Sequence, residues 1–324
     1  MEENTEQRVD LTLFSEKIQE LKDRIASVIV GQEQTVDLVL TAILANGHVL
    51  IEGVPGVAKT LLARLTARLI DADFSRIQFT PDLMPSDVLG TTVFNMKTNG
   101  FDFHQGPIFA DIVLVDEINR APAKTQAALF EVMEERQISI DGTTHRMGDL
   151  YTILATQNPV EQEGTYKLPE AQLDRFLMKI TMDYPSLEEE VNILERHHTN
   201  AALVKLDDIT PAITKEEVLS LRVFMNQVFV DRTLLQYIAL IVQQTRTSKA
   251  VYLGASPRAS VAMLQSSKAY ALLQGRDFVT PEDIKFVAPY VLQHRLILTA
   301  EAEMEGYSPV KVTQRLIDKV EVPK

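Results

Sequence analysis

The chain contains no cysteine among its 324 residues. Disulfides, thiolate nucleophiles and zinc sites built from cysteine are therefore excluded, and a reducing compartment is permitted. The six histidines include no HExxH pattern, so a zinc peptidase of that kind is excluded as well. Two of them, His197 and His198, are adjacent in a polar helical stretch, which is typical of a solvated helix end rather than a metal site.

Long apolar runs are missing too. No charge-free apolar stretch reaches the ~18 residues that a membrane-spanning helix needs. Where a secretory signal needs a basic start, the N-terminus carries acidic residues, namely Glu2, Glu3, Glu6 and Asp10. The sequence therefore predicts a cytoplasmic protein that does not insert into membranes.

An excess of basic charge is the third absence. The formal net charge is −13, whereas proteins that bind nucleic acid usually present a basic surface to the phosphates. A local basic pore would be compatible with an acidic total. The overall charge nevertheless argues against nucleic acid as a partner.

Strand-like apolar runs alternate with helical stretches in the first half of the chain. Two helices come first: Phe14, Ile18, Leu21 and Ile25 share one face of the opening helix, and the second helix covers residues 34–45. The strand-like runs follow at residues 48–51, 74–79, 111–115, 151–156 and 176–182. Such alternation favours a parallel sheet with helices on both faces.

Two segments interrupt this alternation and have the pattern of β-hairpins. Residues 94–103 surround Asn99-Gly100, and residues 137–146 surround Asp141-Gly142. Asn-Gly and Asp-Gly between residues of alternating polarity are typical of tight hairpin turns. We expect both hairpins to be insertions, with plain surface ribbons as the alternative to a functional role.

Beyond Tyr184-Pro185 the strand-like runs stop and helix-start signals recur. Ser186 with Glu189 and Thr214 with Glu217 have the spacing of capping boxes. Because 324 residues exceed the ~100–200 of a usual single domain, we expect two domains. They are an α/β domain over residues 1–185 and a small all-helical domain over residues 186–324.

A Gly-rich turn joins the first strand-like run to a helix. Its candidate ligand-binding residues are Gly53, Pro55, Gly56, Val57, Ala58, Lys59, Thr60 and Leu61. Strand, loop and helix in this order are the context of the phosphate-binding formula G-x-x-x-x-G-K-[ST], in which backbone N–H groups and a helix N-terminus attract phosphate oxygens. Lys59 would reach the β and γ phosphates of a nucleotide, and the Thr60 hydroxyl would bind Mg²⁺. An ordinary turn before a helix is the alternative.

Ala58 departs from this formula, which has glycine at the position. Alanine adds only a methyl group. The loop can therefore form if this position does not need a positive φ.

Two polar clusters follow later strand-like runs. Asp116 and Glu117 end the apolar run of residues 112–115, which suits a buried central strand that delivers carboxylates at its carboxyl end. Asp116 could complete a Mg²⁺ shell, and Glu117 could orient or deprotonate an attacking water. Asn158 follows another run and could hydrogen-bond the γ-phosphate, although Asn158-Pro159 by itself is a turn signal.

With these three elements in order, the chain resembles the AAA+ superfamily and, within it, the MoxR family. The resemblance covers about residues 28–323, and Ala58 matches MoxR usage. It implies an AAA+ P-loop NTPase core, with a parallel sheet, helices on both faces and β-hairpin insertions, followed by a small all-α lid domain. The segments that carry it are residues 52–60, 115–122, 155–159 and 168–176.

The same resemblance implies roles that spacing alone does not. Val30 and Gly31 match the segment that flanks the adenine. Arg175 matches an arginine finger that reaches the γ-phosphate of a neighbouring subunit, and Arg258 matches a second sensor, in cis or in trans. Arg175 as a surface partner of Asp174 or Glu170 is the plain alternative.

MoxR relatives hydrolyse ATP with Mg²⁺ as homo-oligomers, which implies a hexameric ring here. They remodel or mature a partner protein or insert its metal or cofactor, often through a client or adaptor with a von Willebrand factor A domain. The alternative function is a nucleic-acid-dependent motor related to hairpin-bearing AAA+ helicases. The hairpin charges are mixed, with Lys97 and Arg146 against Asp102 and Asp141. A nucleotide-gated scaffold with negligible turnover is a further alternative.

Overall fold

One five-stranded sheet and three two-stranded ribbons make up the β-structure of the described residues, which are 12–159, 165–199 and 206–322 of the computed structural model. The acidic residues predicted to rule out a secretory signal lie outside these ranges. The strands are β1 (Val49–Gly53), β2 (Phe74–Gln78), β3 (Gly90–Asn95), β4 (Gly100–Gln105), β5 (Ile112–Asp116), β6 (Gln137–Ile140), β7 (Thr143–Arg146), β8 (Thr152–Gln157), β9 (Met178–Met182), β10 (Val251–Leu253) and β11 (Ile297–Leu298).

The α-helices surround this sheet and form most of the second half of the chain. They are α1 (Thr12–Val28), α2 (Glu33–Leu44), α3 (Lys59–Leu69), α4 (Pro85–Leu89), α5 (Ala123–Glu135), α6 (Glu170–Leu173), α7 (Leu187–His198), α8 (Lys215–Gln227), α9 (Arg232–Thr247), α10 (Pro257–Leu273), α11 (Pro281–Leu292), α12 (Ala300–Met304) and α13 (Pro309–Asp318).

The main sheet is parallel throughout, with the strand order β2-β5-β8-β1-β9. All five strands match the predicted runs to within about two residues, the usual disagreement over element ends. The interior strand β5, which lies between β2 and β8, is buried along its whole length, because helices cover both faces of the sheet and leave room only for apolar side chains. The sheet therefore has one carboxyl edge, where the candidate loop and acids follow their strands.

Both predicted hairpins are present and lie against each other. The first pairs β3 with β4 and extends further at both ends than residues 94–103, and the second pairs β6 with β7 as predicted. The Thr92 hydroxyl donates to Asp141 Oδ2 at 2.6 Å, and the rings of Phe103 and His145 are 4.3 Å apart. The two hairpins thus form one continuous surface.

The C-terminal half is helical with one addition. The Ser186–Glu189 and Thr214–Glu217 capping boxes start α7 and α8 as predicted. The expectation of helices alone is wrong in one detail, because β10 pairs antiparallel with β11. Neither strand has an alternating apolar pattern that the sequence would reveal, since they are only three and two residues long.

The N-terminal helices pack against the C-terminal half rather than standing apart from it. A single cluster of buried apolar residues runs from Leu38 of α2 to Met263 of α10. Arg222 Nε of α8 donates to the Ile43 carbonyl of α2 at 2.9 Å, and Lys215 Nζ lies 2.5 Å from the buried Asp111 carboxylate. The boundary between residues 185 and 186 stays a prediction.

Candidate functional site

Three candidate elements meet at the carboxyl edge of the main sheet. β1 ends at Gly53, β8 at Gln157 and β5 at Asp116, and β8 lies between the other two strands. Glu52 pairs with Gln157 and Val115 with Ala155, so the three strands end at nearly the same level. The loop after β1, the acids after β5 and the residues after β8 are therefore neighbours.

The loop after β1 is closed by its own lysine. Lys59 Nζ donates to the Gly53 carbonyl at 2.5 Å, and α3 begins at Lys59. The first N–H groups of α3 thus face the loop, where no turn of helix precedes them to accept their hydrogen bonds. Gly56 has φ +88° with open space around it, so its backbone conformation alone calls for glycine.

Ala58 adopts a left-handed backbone conformation. Its φ is 63° and its ψ is 21°, in the left-handed region. The condition that this position needs no positive φ is therefore not met, and the loop forms nonetheless. The strain costs about 1–2 kcal/mol for a residue with a Cβ, which explains why the general formula has glycine there.

Thr156 joins the two acids after β5. The Asp116 side chain is buried and accepts hydrogen bonds from Thr156 Oγ1 at 3.0 Å and Arg76 Nε at 2.7 Å. Thr156 Oγ1 in turn accepts from the Glu117 N–H at 3.0 Å. A carboxylate has about four lone-pair sites, so these two donors leave Asp116 able to face a hydrated metal ion.

The Glu117 carboxylate is held in place by two donors that the sequence analysis missed. Gln78 Nε2 donates to Glu117 Oε2 at 2.8 Å, and Arg120 Nε lies 2.9 Å from the same oxygen. Glu117 itself has φ 56°, which turns its side chain out of line with the strand. Gln78 ends β2, the strand beside β5, so only the strand order could have indicated it.

The donor set fits a magnesium ion better than a metal that needs a protein cage. In the described parts of the chain, no three His, Asp or Glu side chains cluster in a way that could hold a metal ion. Mg²⁺ usually keeps several waters and is bound by one or two protein groups together with substrate phosphates. Thr60 and Asp116 at the loop edge meet that requirement.

Asn158, Val30 and Gly31 lie at this same edge. Asn158 directly follows β8 and is buried. Gly31 has φ +72°, and a side chain added there would collide with the carboxylate of Glu189 in the first turn of α7, which follows β9. The structure thus brings the predicted adenine-flanking segment to the edge that carries the loop.

The two predicted arginines lie at the other edge. Leu177 donates its N–H to the His48 carbonyl at 2.8 Å, so Arg175 precedes β9 where β1 begins. Five residues of β1 separate this edge from Gly53, roughly 15 Å of extended strand. Arg175 and Arg258 instead lie near the two oxygens of the Glu134 carboxylate, and neither lies with its own chain's loop.

Comparison with known proteins agrees with this architecture. The family described as "ATPase family associated with various cellular activities (AAA)" matches residues 48–178, and "AAA lid domain" matches residues 243–318. The Bacillus subtilis (strain 168) "Uncharacterized protein YeaC" is 48% identical over 93% of each chain. A proposed ATPase of Cytophaga hutchinsonii, solved by crystallography, has 41% identity and a TM-score of 0.89 over 97% of each chain.

The Mycobacterium tuberculosis "Chaperone MoxR1" is 44% identical over 93% of this chain and 81% of its own length. The chain belongs to the MoxR family of AAA+ ATPases. The predicted fold, a nucleotide-binding AAA+ core with a helical lid, is thereby confirmed. In this MoxR-family chain the first match includes the loop, the acids and Arg175, the second includes Arg258, and Val30 and Gly31 lie outside both.

None of the described helices of this MoxR-family chain is both long and apolar enough to cross a membrane. The amino edge of its sheet, where Arg175 and Arg258 lie and which we call the arginine edge, contains an open pocket of about 720 Å³. Two acids line the pocket, Glu134 and Asp174. Four arginines line it as well: Arg136, Arg175, Arg258 and Arg295. The excess of positive charge makes this edge attractive to an anion.

Buried His48 closes the floor of that pocket. Its Nδ1 accepts from the Ile153 N–H at 2.9 Å, so Nε2 carries the proton and donates to the Met133 carbonyl at 3.2 Å. Burial, with the nearby charge of Arg136, lowers the pKa of His48 to about 3. His48 is therefore a neutral structural link between β1, β8 and α5.

Proposed function

We propose that this chain is a Mg²⁺-dependent ATPase whose reaction centre is completed by a second copy of the chain. The observation that carries the proposal is the separation of two half-sites. Groups that bind phosphate and activate water lie at the carboxyl edge of the sheet, and the arginines lie at the amino edge. A single chain cannot bring both to one nucleotide without unmaking the sheet between them.

At the carboxyl edge each residue has a distinct task. The N–H groups of the loop and Lys59 bind the β and γ phosphates, and Val30 and Gly31 flank the base. A Mg²⁺ ion held by Thr60 and Asp116 would neutralise charge on the phosphates. Glu117 takes a proton from the water that attacks the γ-phosphorus as the bond to the β-γ bridging oxygen breaks, and Asn158 hydrogen-bonds the γ-phosphate.

The arginine edge of the neighbouring copy supplies the missing positive charge. Arg175 and Arg258 then stabilise the negative charge that grows on the γ-phosphoryl oxygens, an effect worth about 10³–10⁵ in rate for a finger supplied in trans. Both act in trans, because Arg258 lies beside Arg175. Carboxyl edge against amino edge is a head-to-tail contact, which closes into a ring when its rotation allows. We infer a hexameric ring from the family.

The hairpin surface indicates the kind of client. Phe94, Met96 and Phe101 are 48%, 88% and 74% exposed, and Phe94 and Phe101 form a pair at 5.3 Å. Exposed apolar groups of this kind fit a polypeptide better than a phosphate backbone. We propose remodelling or maturation of a partner protein, including insertion of a metal or cofactor, through a partner with a von Willebrand factor A domain.

The deciding experiment is ATP turnover of the purified protein as a function of its concentration. Turnover per chain should rise with concentration, alongside assembly seen by light scattering. Glu117→Gln should bind ATP yet hydrolyse it at least ~10²-fold more slowly, and the matched control Glu301→Gln, on distant α12, should not change the rate. Unchanged turnover in Glu117→Gln, or a rate per chain independent of dilution, rejects the proposal.

A second arm of the experiment tests the client. A nucleic-acid motor would show turnover stimulated by DNA, and its DNA binding would weaken steeply with added salt. We expect no such stimulation. Substituting Phe101 with Ser should instead reduce stimulation by an unfolded polypeptide and leave basal turnover unchanged.

A further inference from the structure

Three consecutive residues after α11 grip the segment that carries Arg175. Gln293, His294 and Arg295 all donate hydrogen bonds to backbone carbonyls of residues 174–179, and we call these three residues the clasp. Gln293 Nε2 donates to the Lys179 carbonyl at 2.5 Å, and His294 Nε2 donates to the Phe176 carbonyl at 3.0 Å. All three side chains are almost fully buried.

Arg295 makes the largest number of these contacts. Its Nε donates to Asp174 Oδ1 at 2.7 Å, and its Nη2 donates to the carbonyls of Phe176 at 2.7 Å and Asp174 at 3.2 Å. Its Nη1 donates to the carbonyls of Leu177 at 3.1 Å and Val291 at 2.5 Å. One buried guanidinium thus fixes the residues on both sides of Arg175.

The same network reaches the second arginine. Asp174 accepts from Arg295 through Oδ1, and its Oδ2 lies 4.0 Å from Arg258 Nη1. A guanidinium is a planar fork of five donors, which suits simultaneous bonds to several fixed oxygens in a way that the single ammonium of lysine does not. Apolar side chains would hold the end of α11 against the sheet equally well. Packing alone therefore does not explain the buried guanidinium of Arg295.

We propose that Arg295 is the positioning residue for Arg175. Through the clasp, the position of the lid helices sets the position of Arg175, which belongs to the half-site that faces the neighbouring copy. This inference rests on the proposed role of Arg175 as a finger in trans. An error of about 1 Å in the placement of a reacting group can cost about 10²-fold in rate. Loosening the clasp should therefore impair hydrolysis at the neighbour's nucleotide and leave the chain's own phosphate-binding loop intact.

Mixing of variants tests this directly. Arg295→Lys alone should lose at least ~10-fold in turnover, with nucleotide affinity within about 3-fold of the original. Mixed with Glu117→Gln chains, which supply an intact finger but cannot hydrolyse, its turnover per Arg295→Lys chain should recover several-fold. A merely structural role would not give this recovery, because a damaged fold is not repaired by a neighbour.

Two controls separate the outcomes. Arg276→Lys weakens a comparable lid contact, the pairing with Asp283 at 2.5 Å, and should show neither the loss nor the recovery. Chains that carry both Glu117→Gln and Arg175→Ala have no finger to offer and should not restore Arg295→Lys. Asp174→Asn, which keeps Arg295 and removes its charged partner, is carried through the same mixtures and decides the question if Arg295→Lys does not fold.

If neither Arg295→Lys nor Asp174→Asn recovers turnover in these mixtures, the inference is overturned. Arg175→Ala mixed with Glu117→Gln serves as the reference for a pure finger defect. If Arg175→Ala recovers and the clasp variants do not, only the positioning role fails. If Arg175→Ala does not recover either, the proposed reaction centre between two copies fails.

Discussion

Arg258 Nη2 lies 3.4 Å from Glu134 Oε1, although 124 residues separate the two in sequence. The other oxygen of the same carboxylate is 3.6 Å from Arg175 Nε. Glu134, rather than Asp174 or Glu170, is thus the acid that pairs with Arg175. In the single chain one exposed carboxylate stands where the proposed assembly would present the phosphates of the neighbouring copy.

Glu134→Gln is expected to favour assembly, because it removes a carboxylate that competes for the two arginines. Exposed ion pairs contribute about 0–1 kcal/mol, so the protein concentration at half-maximal turnover should fall by no more than ~5-fold. Turnover measured over a dilution series checks this, with Glu131→Gln on the same helix as the control. An increase in that concentration would contradict a competing role for Glu134.

Gln78→Ala is expected to slow hydrolysis without weakening ATP binding. Glu117 would lose one of the two donors that fix its carboxylate, and misplacement of a catalytic group lowers the rate by about 10-fold or more. Steady-state turnover and nucleotide titration measure the two effects separately. Gln274→Ala, at the end of α10, should leave both unchanged, and an unaltered turnover in Gln78→Ala would show that Arg120 alone positions Glu117.

Ala58→Gly is expected to stabilise the folded protein slightly. Glycine removes about 1–2 kcal/mol of left-handed strain and loses roughly 0.5–1 kcal/mol through its freer unfolded chain. The net gain in unfolding free energy should be roughly 0–1.5 kcal/mol, with ATP binding retained. Denaturant unfolding tests it beside Ala63→Gly, inside α3, which should cost at least ~1 kcal/mol. A loss of stability in Ala58→Gly would contradict the strain.

The free energy of unfolding should decrease as the pH is lowered below 6.5, because His48 is buried in its neutral form. Its folded pKa of about 3 lies under the ordinary value of 6.5, so the unfolded chain binds the proton more readily. The stabilisation is present above pH 6.5 and is lost as the pH falls toward 3, by about 1.4 kcal/mol per pH unit. Burial also lowers the pKa of His294 well below its ordinary value, so this histidine adds to the slope.

Denaturant unfolding at about pH 7.5, 6.5 and 5.5, which span the ordinary histidine pKa, measures the slope of the unfolding free energy against pH. His48→Gln removes one titrating group and should flatten it. His104→Gln, at an exposed position on β4, is the control substitution. Equal slopes in the original chain and His48→Gln would show that His48 does not titrate on unfolding.

The carboxyl-edge residues could be predicted because local sequence fixes them. A strand that continues into a Gly-rich turn and a helix, or that ends in two acids, carries its functional groups on consecutive residues. A parallel sheet then brings all such ends to one edge. The same locality explains why both hairpin turns were found from Asn99-Gly100 and Asp141-Gly142.

Sequence alone determined the parallel sheet, the Gly-rich loop after β1 and the two acids at the end of β5, since each depends on residues that are neighbours along the chain. Only the tertiary structure decided the left-handed conformation of Ala58 and the pairing of Gln78 with Glu117. It also decided that Arg175 and Arg258 lie at the far edge, joined to the lid by Arg295. These relationships depend on strand order and on which helix end packs against which strand, and no spacing in the sequence encodes them.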